Sequence, residues 1–217
     1  MLNQTEAAAI DAQVASVEAA TGVEVVAALT AKADAYVELP WKAFALGASL
    51  FALGGMLLDL VRPDWATLHG SLVAVVAILG GGAASALAAV FVPGYARLFL
   101  RPVRAEIEVR QYAKALFLER ELFRTQRRTG VLMLVALFER RIEILPDVGF
   151  RDRVSTADWQ GVVARMTPLL EQARAVDALH EGLRALQEVL IGDGFHGVAG
   201  AVNELRNCPI DDAGARE

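Results

Sequence analysis

Residues 43–58 contain no Asp, Glu, Lys or Arg, and neither do residues 65–96. A soluble core rarely needs two helices that are apolar on every side, so these runs constrain the fold more than any other feature. A helix needs about 20 apolar residues to cross about 30 Å of hydrocarbon. The first run approaches that length once Trp41 and the stem of Lys42 are counted as interfacial anchors, and the second has its apolar centre over residues 72–92. Asp59, Arg62, Pro63, Asp64 and Trp65 form a short polar turn between them. The two runs therefore read as a transmembrane helical hairpin, about 41–61 and 69–93. A mean hydropathy of +0.39 and 55% hydrophobic residues agree with that reading.

Lys32 and Lys42 precede the first span, Arg97, Arg101, Arg104 and Arg110 follow the second, and only Arg62 lies in the turn. By the positive-inside rule both termini face the cytoplasm, and the expected location is a bacterial inner membrane. Residues 1–20 carry Glu6, Asp11 and Glu18 without a single Lys or Arg, unlike a cleaved signal peptide. Gly80, Ala84 and Ala88 make one stripe of small residues and Gly81, Ser85 and Ala89 the next. Such stripes let helix backbones approach, either within the hairpin or in self-association. Neither apolar centre holds an acidic or basic residue, which weighs against an ion or proton pathway. The formal charge of −5 argues against a general nucleic-acid binder. Cys208 is the single cysteine, so an intrachain disulfide and CxxC zinc schemes are excluded.

Outside the spans, Asn3 stands three residues before Glu6 in capping-box spacing and opens a helix to about Ala20, stopped by Thr21 and Gly22. Residues 23–29 read as a buried strand. Residues 97–127 read as a helix continuing from the second span. Thr129, Gly130 and Val131 echo Thr21, Gly22 and Val23 and introduce a second buried strand over residues 131–138. A third strand, 141–145, alternates Arg141 and Glu143 outward with Ile142 and Ile144 inward, and Pro146 ends it. Ser155 or Thr156 caps the next helix, in which Pro168 marks a bend or break. A last helix runs over about 176–191 and ends at Gly192 and Gly194. The expected fold class is α/β, a small sheet with flanking helices and the hairpin inserted. Its divisions are 1–38 for the first helix and strand, 39–96 for the hairpin, 97–206 for the remainder and 207–217 for a disordered tail.

No GxGxxG, Walker, HExxH, GxSxG or CxxC pattern occurs in a fitting context. His69, His180 and His196 are scattered, and Cys208 has no basic setting to activate it. The best acidic constellation is Glu139, Glu143 and Asp147, which strand geometry could place on one face with Arg141, with Asp152 nearby in sequence. Oxygen ligands of this kind suit Ca²⁺ or Mg²⁺. The plainer reading is a solvated strand face of compensating charges. Arg97, Arg101 and Arg104 lie where each adds about 1 kcal/mol of attraction to anionic lipid head groups. Arg124, Arg127 and Arg128, just before the second strand, could hold an anion or an acidic partner segment.

The stretches "TGVEVVAALT", "RTGVLMLVALFERRIEILPDVGF", "DWQGVVARMTPLL" and "DALHEGLRALQEVL" resemble the TPM domain family, in a bacterial membrane-protein group with a two-helix hairpin inserted after the first strand. The Asn203, Glu204, Leu205 ending is similar to that group as well. The resemblance covers about two-thirds of the chain and implies an α/β sandwich. The family includes thylakoid proteins of photosystem II repair, one described as an acidic phosphatase, an auxiliary subunit of an animal acetylcholine receptor, and bacterial membrane proteins without an assigned role. Many members carry a Gly-Tyr-Gly-like turn after the Glu corresponding to Glu143, whereas this chain has Ile144, Leu145, Pro146, Asp147, Val148 and Gly149 there. The transfer of a metal or phosphatase site is weakened by that departure. The leading expectation is a membrane-anchored, cytoplasmic-side interaction or assembly module, with a membrane-protein partner or self-association through Gly80, Ala84 and Ala88. A divalent-metal-dependent phosphatase and a small subunit of a membrane transport complex are the alternatives.

Overall fold

The Asn3 side chain accepts a hydrogen bond from the Glu6 N–H at 2.7 Å, and the Glu6 carboxylate accepts from the Asn3 N–H at 2.8 Å. This reciprocal box satisfies two of the free donors at a helix start. It opens α1 (Gln4–Thr21), which Gly22 closes with φ +68°, in the left-handed region that favours glycine. The computed structural model describes residues 2–61, 68–197, 210–212 and 214. After α1 the elements run β1 (Glu24–Thr30), α2 (Glu38–Val61), α3 (Leu68–Phe91), α4 (Pro93–Arg97), α5 (Pro102–Glu119), β2 (Gly130–Ala136), β3 (Arg141–Pro146), α6 (Thr156–Glu171), α7 (Ala175–Gly192) and β4 (Ile210–Asp212). The chain divides into two units, Met1–Ala35 with Val103–Glu217, and Tyr36–Pro102.

In the first unit the sheet order is β3-β2-β1-β4. β1 runs parallel to β2, from Glu24 beside Gly130 to Thr30 beside Ala136, while β3 is antiparallel to β2. One sheet face packs Val25, Ala27, Val131 and Met133 against α1, α6 and α7 through residues such as Val14, Met166 and Leu183. The other packs Val26, Ala28, Leu132 and Leu134 against Val109, Ala113 and Phe117 of α5. Burial on both faces explains why β1 and β2 read as nearly continuous apolar runs instead of alternating ones. β3 lies at the edge and is half-buried throughout, as its alternating charges require. The fold is thus an α/β sandwich around a small mixed sheet.

Three local expectations are corrected. Residues 97–127 are not one helix: α4 ends at Arg97 and α5 begins at Pro102. Proline offers no N–H to a preceding turn and disfavours helical backbone at the residue before it. Glu121, at φ +53°, then separates α5 from a single 3-10 turn, Leu122–Arg124. Pro168 does not break its helix, because α6 continues through it to Glu171. Within the stretch expected to be a disordered tail, Ile210–Asp212 forms a strand parallel to Ala28, Leu29 and Thr30. An open sheet edge on β1 offers unpaired backbone groups, and even three residues of modest apolarity can use them. The Thr-Gly-Val echo does mark the entries of two adjacent strands of one sheet, although Gly130 pairs with Glu24, two residues out of step with Gly22. The expected turn at Arg62, Pro63, Asp64 and Trp65, the side chain of His69, and Asn203, Glu204, Leu205 and Cys208 fall outside the described residues.

The second unit is built on α2 and α3. At 1.5 Å per residue, each 24-residue helix is about 36 Å long. Both are long and apolar enough to cross a membrane. They run antiparallel, since the Ser85 hydroxyl donates to the Ala43 carbonyl at 2.7 Å while Phe51 lies against Gly81 farther along. A side chain at Gly47 would meet Ser85 Cβ at 2.5 Å and the Gly81 carbonyl at 2.7 Å, and one at Gly82 would meet the Phe44 ring at 2.7 Å. Absent side chains therefore set the close approach of the pair. Gly81 and Ala89 are buried in this contact, whereas Gly80 and Ala84 face outward. Leu50, Met56, Leu60, Leu72, Val76 and Phe91 are all exposed, so the apolar surface continues around the pair.

A Cβ added at Gly130 would press on the Leu122 carbonyl oxygen, a backbone atom that cannot swing away, whereas one at Gly161 meets nothing within 4 Å. Gly130→Ala is expected to destabilise the first unit by about 1–3 kcal/mol. Gly161→Ala, inside α6, is expected to stabilise it by about 0.5–1 kcal/mol. Thermal unfolding of the detergent-solubilised chain, followed by circular dichroism, checks both.

Candidate functional site

The acidic constellation read from strand spacing does not assemble as one face. Glu139 belongs to the turn between β2 and β3, not to β3, and Arg140 there has φ +52°. The Glu139 carboxylate is 9% exposed and accepts the Ala33 N–H at 2.8 Å, tying the loop after β1 to the turn after β2. On β3, Glu143 accepts from Arg110 Nε of α5 at 3.0 Å. Asp147 is gripped by the Arg128 guanidinium through Nε at 2.6 Å and Nη2 at 2.9 Å, and it also accepts the Val148 N–H at 2.8 Å. Three carboxylates thus serve three separate structural ties. Among the described residues no group of three or more His, Cys, Asp or Glu side chains is placed to hold a metal ion.

The arginines divide in the same way. Arg124 pairs with Glu121 at 2.6 Å on the surface, and Arg128 is committed to Asp147. Burial pushes the Asp147 carboxyl up, but the hydrogen bonds from Arg128 and Val148 and the Arg128 charge outweigh it and hold it below the usual carboxylate value. Arg127, between them in sequence, has no ion pair or hydrogen bond among the described residues. Arg104 of α5 pairs with Asp34 at 3.2 Å and Glu108 at 3.3 Å. Arg97 is half-buried at the end of α4, and Arg101 is exposed in the link that follows.

Arg127 lines a cavity of about 200 Å³ together with Thr21, Gly22, Thr129, Gly149, Arg153, Gly194, Phe195 and His196. Its walls come from the end of α1, the approach to β2, the turn after β3 and the segment after α7. Each wall is fixed by backbone bonding. Gly149 donates to the Arg128 carbonyl at 2.9 Å, and a Cβ there would meet the Arg127 and Arg128 carbonyls at 2.7 and 2.6 Å. Gly197 donates to the Ala20 carbonyl at 2.9 Å, holding the last segment over the end of α1. Arg153 donates to the Asp193 and Gly194 carbonyls at 3.2 and 2.9 Å, and its guanidinium carbon sits 3.6 Å from the centre of the buried Phe195 ring. Phe195 in turn packs 5.1 Å from Phe150.

Sequence reasoning grouped Arg127 with Arg124 and Arg128, which the structure ties to Glu121 and Asp147 instead. Arg153, Thr129 and His196 join it from 26, 2 and 69 residues away, and only Thr129 carried a signal, through the Thr-Gly-Val echo. Of the other histidines, His180 Nδ1 meets the Gln13 side chain between α7 and α1, an ordinary tie between packed helices.

Residues 97–189 match the TPM domain family. The fold is similar to the NMR structure of the BA42 protein from the psychrophilic bacterium Bizionia argentinensis sp. nov., with a TM-score of 0.59 and 15% identity over 97% of this chain and 95% of that one. A search of curated proteins finds no match.

Because the Asp147 carboxyl sits below its ordinary 3.8 when folded, its contribution to stability is complete well above that value and is lost as pH falls through and below it. Asp147→Asn is expected to cost about 1.5–3 kcal/mol at pH 7. The gap between variant and parent should close as the pH drops under 3.8, which unfolding curves recorded from pH 7 to pH 3 would reveal.

Proposed function

We propose that this chain, whose residues 97–189 match the TPM domain family, is a membrane-anchored interaction or assembly module. Its two apolar helices would cross the bacterial cytoplasmic membrane as a hairpin, with the α/β unit and both termini on the cytoplasmic side. The observation that carries this reading is the row of large apolar side chains facing outward along α2 and α3, Met56 being 73% and Leu60 79% exposed. In water that surface would cost about 25 cal/mol per Å², whereas lipid chains accept it without penalty. Arg97 and Arg101, near the end of the second span, would meet anionic head groups, and Lys42 and Trp41 would anchor the first span at the same interface. No catalytic group is required of such a module. Its soluble unit supplies a rigid body and a charged surface.

The stripe of Gly80, Ala84 and Ala88, exposed at Gly80 and Ala84 and half-buried at Ala88, is proposed as the surface for a second transmembrane helix, from another copy or a partner. It is favoured over its neighbour because Gly81 and Ser85 are already used within the pair. Close backbone approach, not residue polarity, would drive that contact.

Expressed in bacteria, the chain should remain in the membrane pellet after carbonate extraction. Reporter fusions should place both termini inside, and recovery in the soluble fraction would refute the anchor. Gly80→Leu with Ala84→Leu should reduce crosslinked dimer at least severalfold while leaving membrane insertion unchanged, read by chemical crosslinking in native membranes.

A further inference from the structure

We propose that the outward face of α5 seats on the anionic head groups of a membrane surface, as an amphipathic helix lying in the interface. The inference rests on the membrane-anchor reading above and adds a second contact to it. One side of α5 is fully accounted for: Val109, Ala113, Leu116 and Phe117 are buried against the sheet. A second apolar set lies on the far side of the same helix. Val103, Ile107 and Leu118 are exposed there, Val103 by 69% and Leu118 by 63%. At about 100° per residue these three and Lys114 fall within an arc of about 60°.

The charges on that face have one sign. Lys114 lies among the apolar residues, Arg104 and Arg110 lie at the margins, and no Asp or Glu shares the arc. The carboxylates of α5 stand off to the sides. Glu106 faces Arg141 at 3.6 Å and Arg110 at 4.0 Å, Glu108 faces Arg104 at 3.3 Å, and Glu119 is turned about 100° away from Leu118. Lys114 pairs with no carboxylate among the described residues. A helix face that only meets water usually mixes both signs. Apolar side chains that sink toward the acyl boundary, with long cations whose stems lie along it and whose heads reach the phosphates, are what an interfacial helix needs.

Position in the chain supplies the second argument. α5 starts at Pro102, five residues after Arg97 ends α4, and an extended chain of that length reaches about 18 Å at most. So short a tether to the end of a span keeps the face at high effective concentration beside the head groups, where each cation is attracted. A partner helix is the poorer fit. Ile107 and Leu118 are three turns apart, about 16 Å, and the exposed positions between them on this face are Gln111 and Lys114. A helix–helix seam repeats an apolar residue every three or four positions. Lipid requires no such continuity.

The test uses the full chain with Cys208→Ser, which removes the single native cysteine, and one introduced cysteine carrying an environment-sensitive fluorophore. Ile107→Cys reports on α5, Gln160→Cys on the exposed side of α6, and Val76→Cys on the span. Each is reconstituted into phosphatidylcholine vesicles, with or without one-quarter phosphatidylglycerol, containing a spin-labelled lipid as quencher. The Ile107→Cys label is expected to shift to the blue and be quenched in the mixed vesicles. It should lose most of that quenching in pure phosphatidylcholine or when Lys114→Glu is added, and keep it with Lys114→Arg. The Gln160→Cys label should stay in water throughout. Lys114 is exposed and unpaired among the described residues, so its replacements leave the fold intact, which an unchanged circular dichroism spectrum would verify. The proposal is overturned if the Val76→Cys label is quenched while Ile107→Cys is quenched no more than Gln160→Cys, or if Lys114→Glu has no effect. A blue shift at Ile107→Cys without lipid quenching marks a protein partner and overturns it as well. Absence of quenching at Val76→Cys refutes the anchor itself, and this proposal with it.

Discussion

Parallel pairing of β1 with β2 is the constraint on which the rest of the molecule depends. A parallel pair cannot be joined by a tight turn, so the chain must leave the end of one strand and return to the start of the other. Here that connection holds α2, α3, α4 and α5. Only α5 is needed to cover the sheet, because Val109, Ala113 and Phe117 close one face of β1 and β2. The apolar pair occupies the same crossover as a separate unit, where a long insertion adds little loop-closure cost to the sheet itself.

The same pairing decides where chemistry is available. It brings the start of β1 beside the start of β2, so the C-terminus of α1 and the 125–128 turn share one end of the sheet. The segment after α7 folds over that end through the Gly197 to Ala20 hydrogen bond. A concave space lined by donors results there. At the opposite end Glu139 bonds the Ala33 N–H and closes the corresponding gap. Charge is distributed accordingly: acidic side chains around β3 are consumed in structural ties, while Arg127 pairs with no carboxylate among the described residues and Arg153 bonds backbone carbonyls.

Much of the fold was legible because it rests on local rules. The Asn3 capping box, a cap at Ser155 or Thr156, the Gly22 stop and the apolar runs of β1 and β2 follow from hydrogen-bond stereochemistry and burial that neighbouring residues specify. The misreadings have equally definite causes. The periodicity of residues 97–127 is compatible with one helix, yet Pro102 interrupts it. The polar stretch around Ile210 gave no strand pattern, because three residues paired to an available edge need no pattern of their own. The shared acidic face required that no tight turn intervene, and the turn at Glu139 and Arg140, with Arg140 at positive φ, removes Glu139 from it.

By itself the sequence determined what each segment had to do with water. Two uncharged runs had to leave it, two apolar strands had to be covered on both faces, and capped amphipathic helices had to do the covering. Those are properties of short stretches, since transfer free energy and capping depend on residues within a turn or two. Only the tertiary structure decided which arginine pairs with no carboxylate among the described residues, which small residues of the apolar pair stayed outward, and which residues came to line one cavity. Each depends on residues far apart in the chain meeting at a particular distance, and no local pattern encodes that.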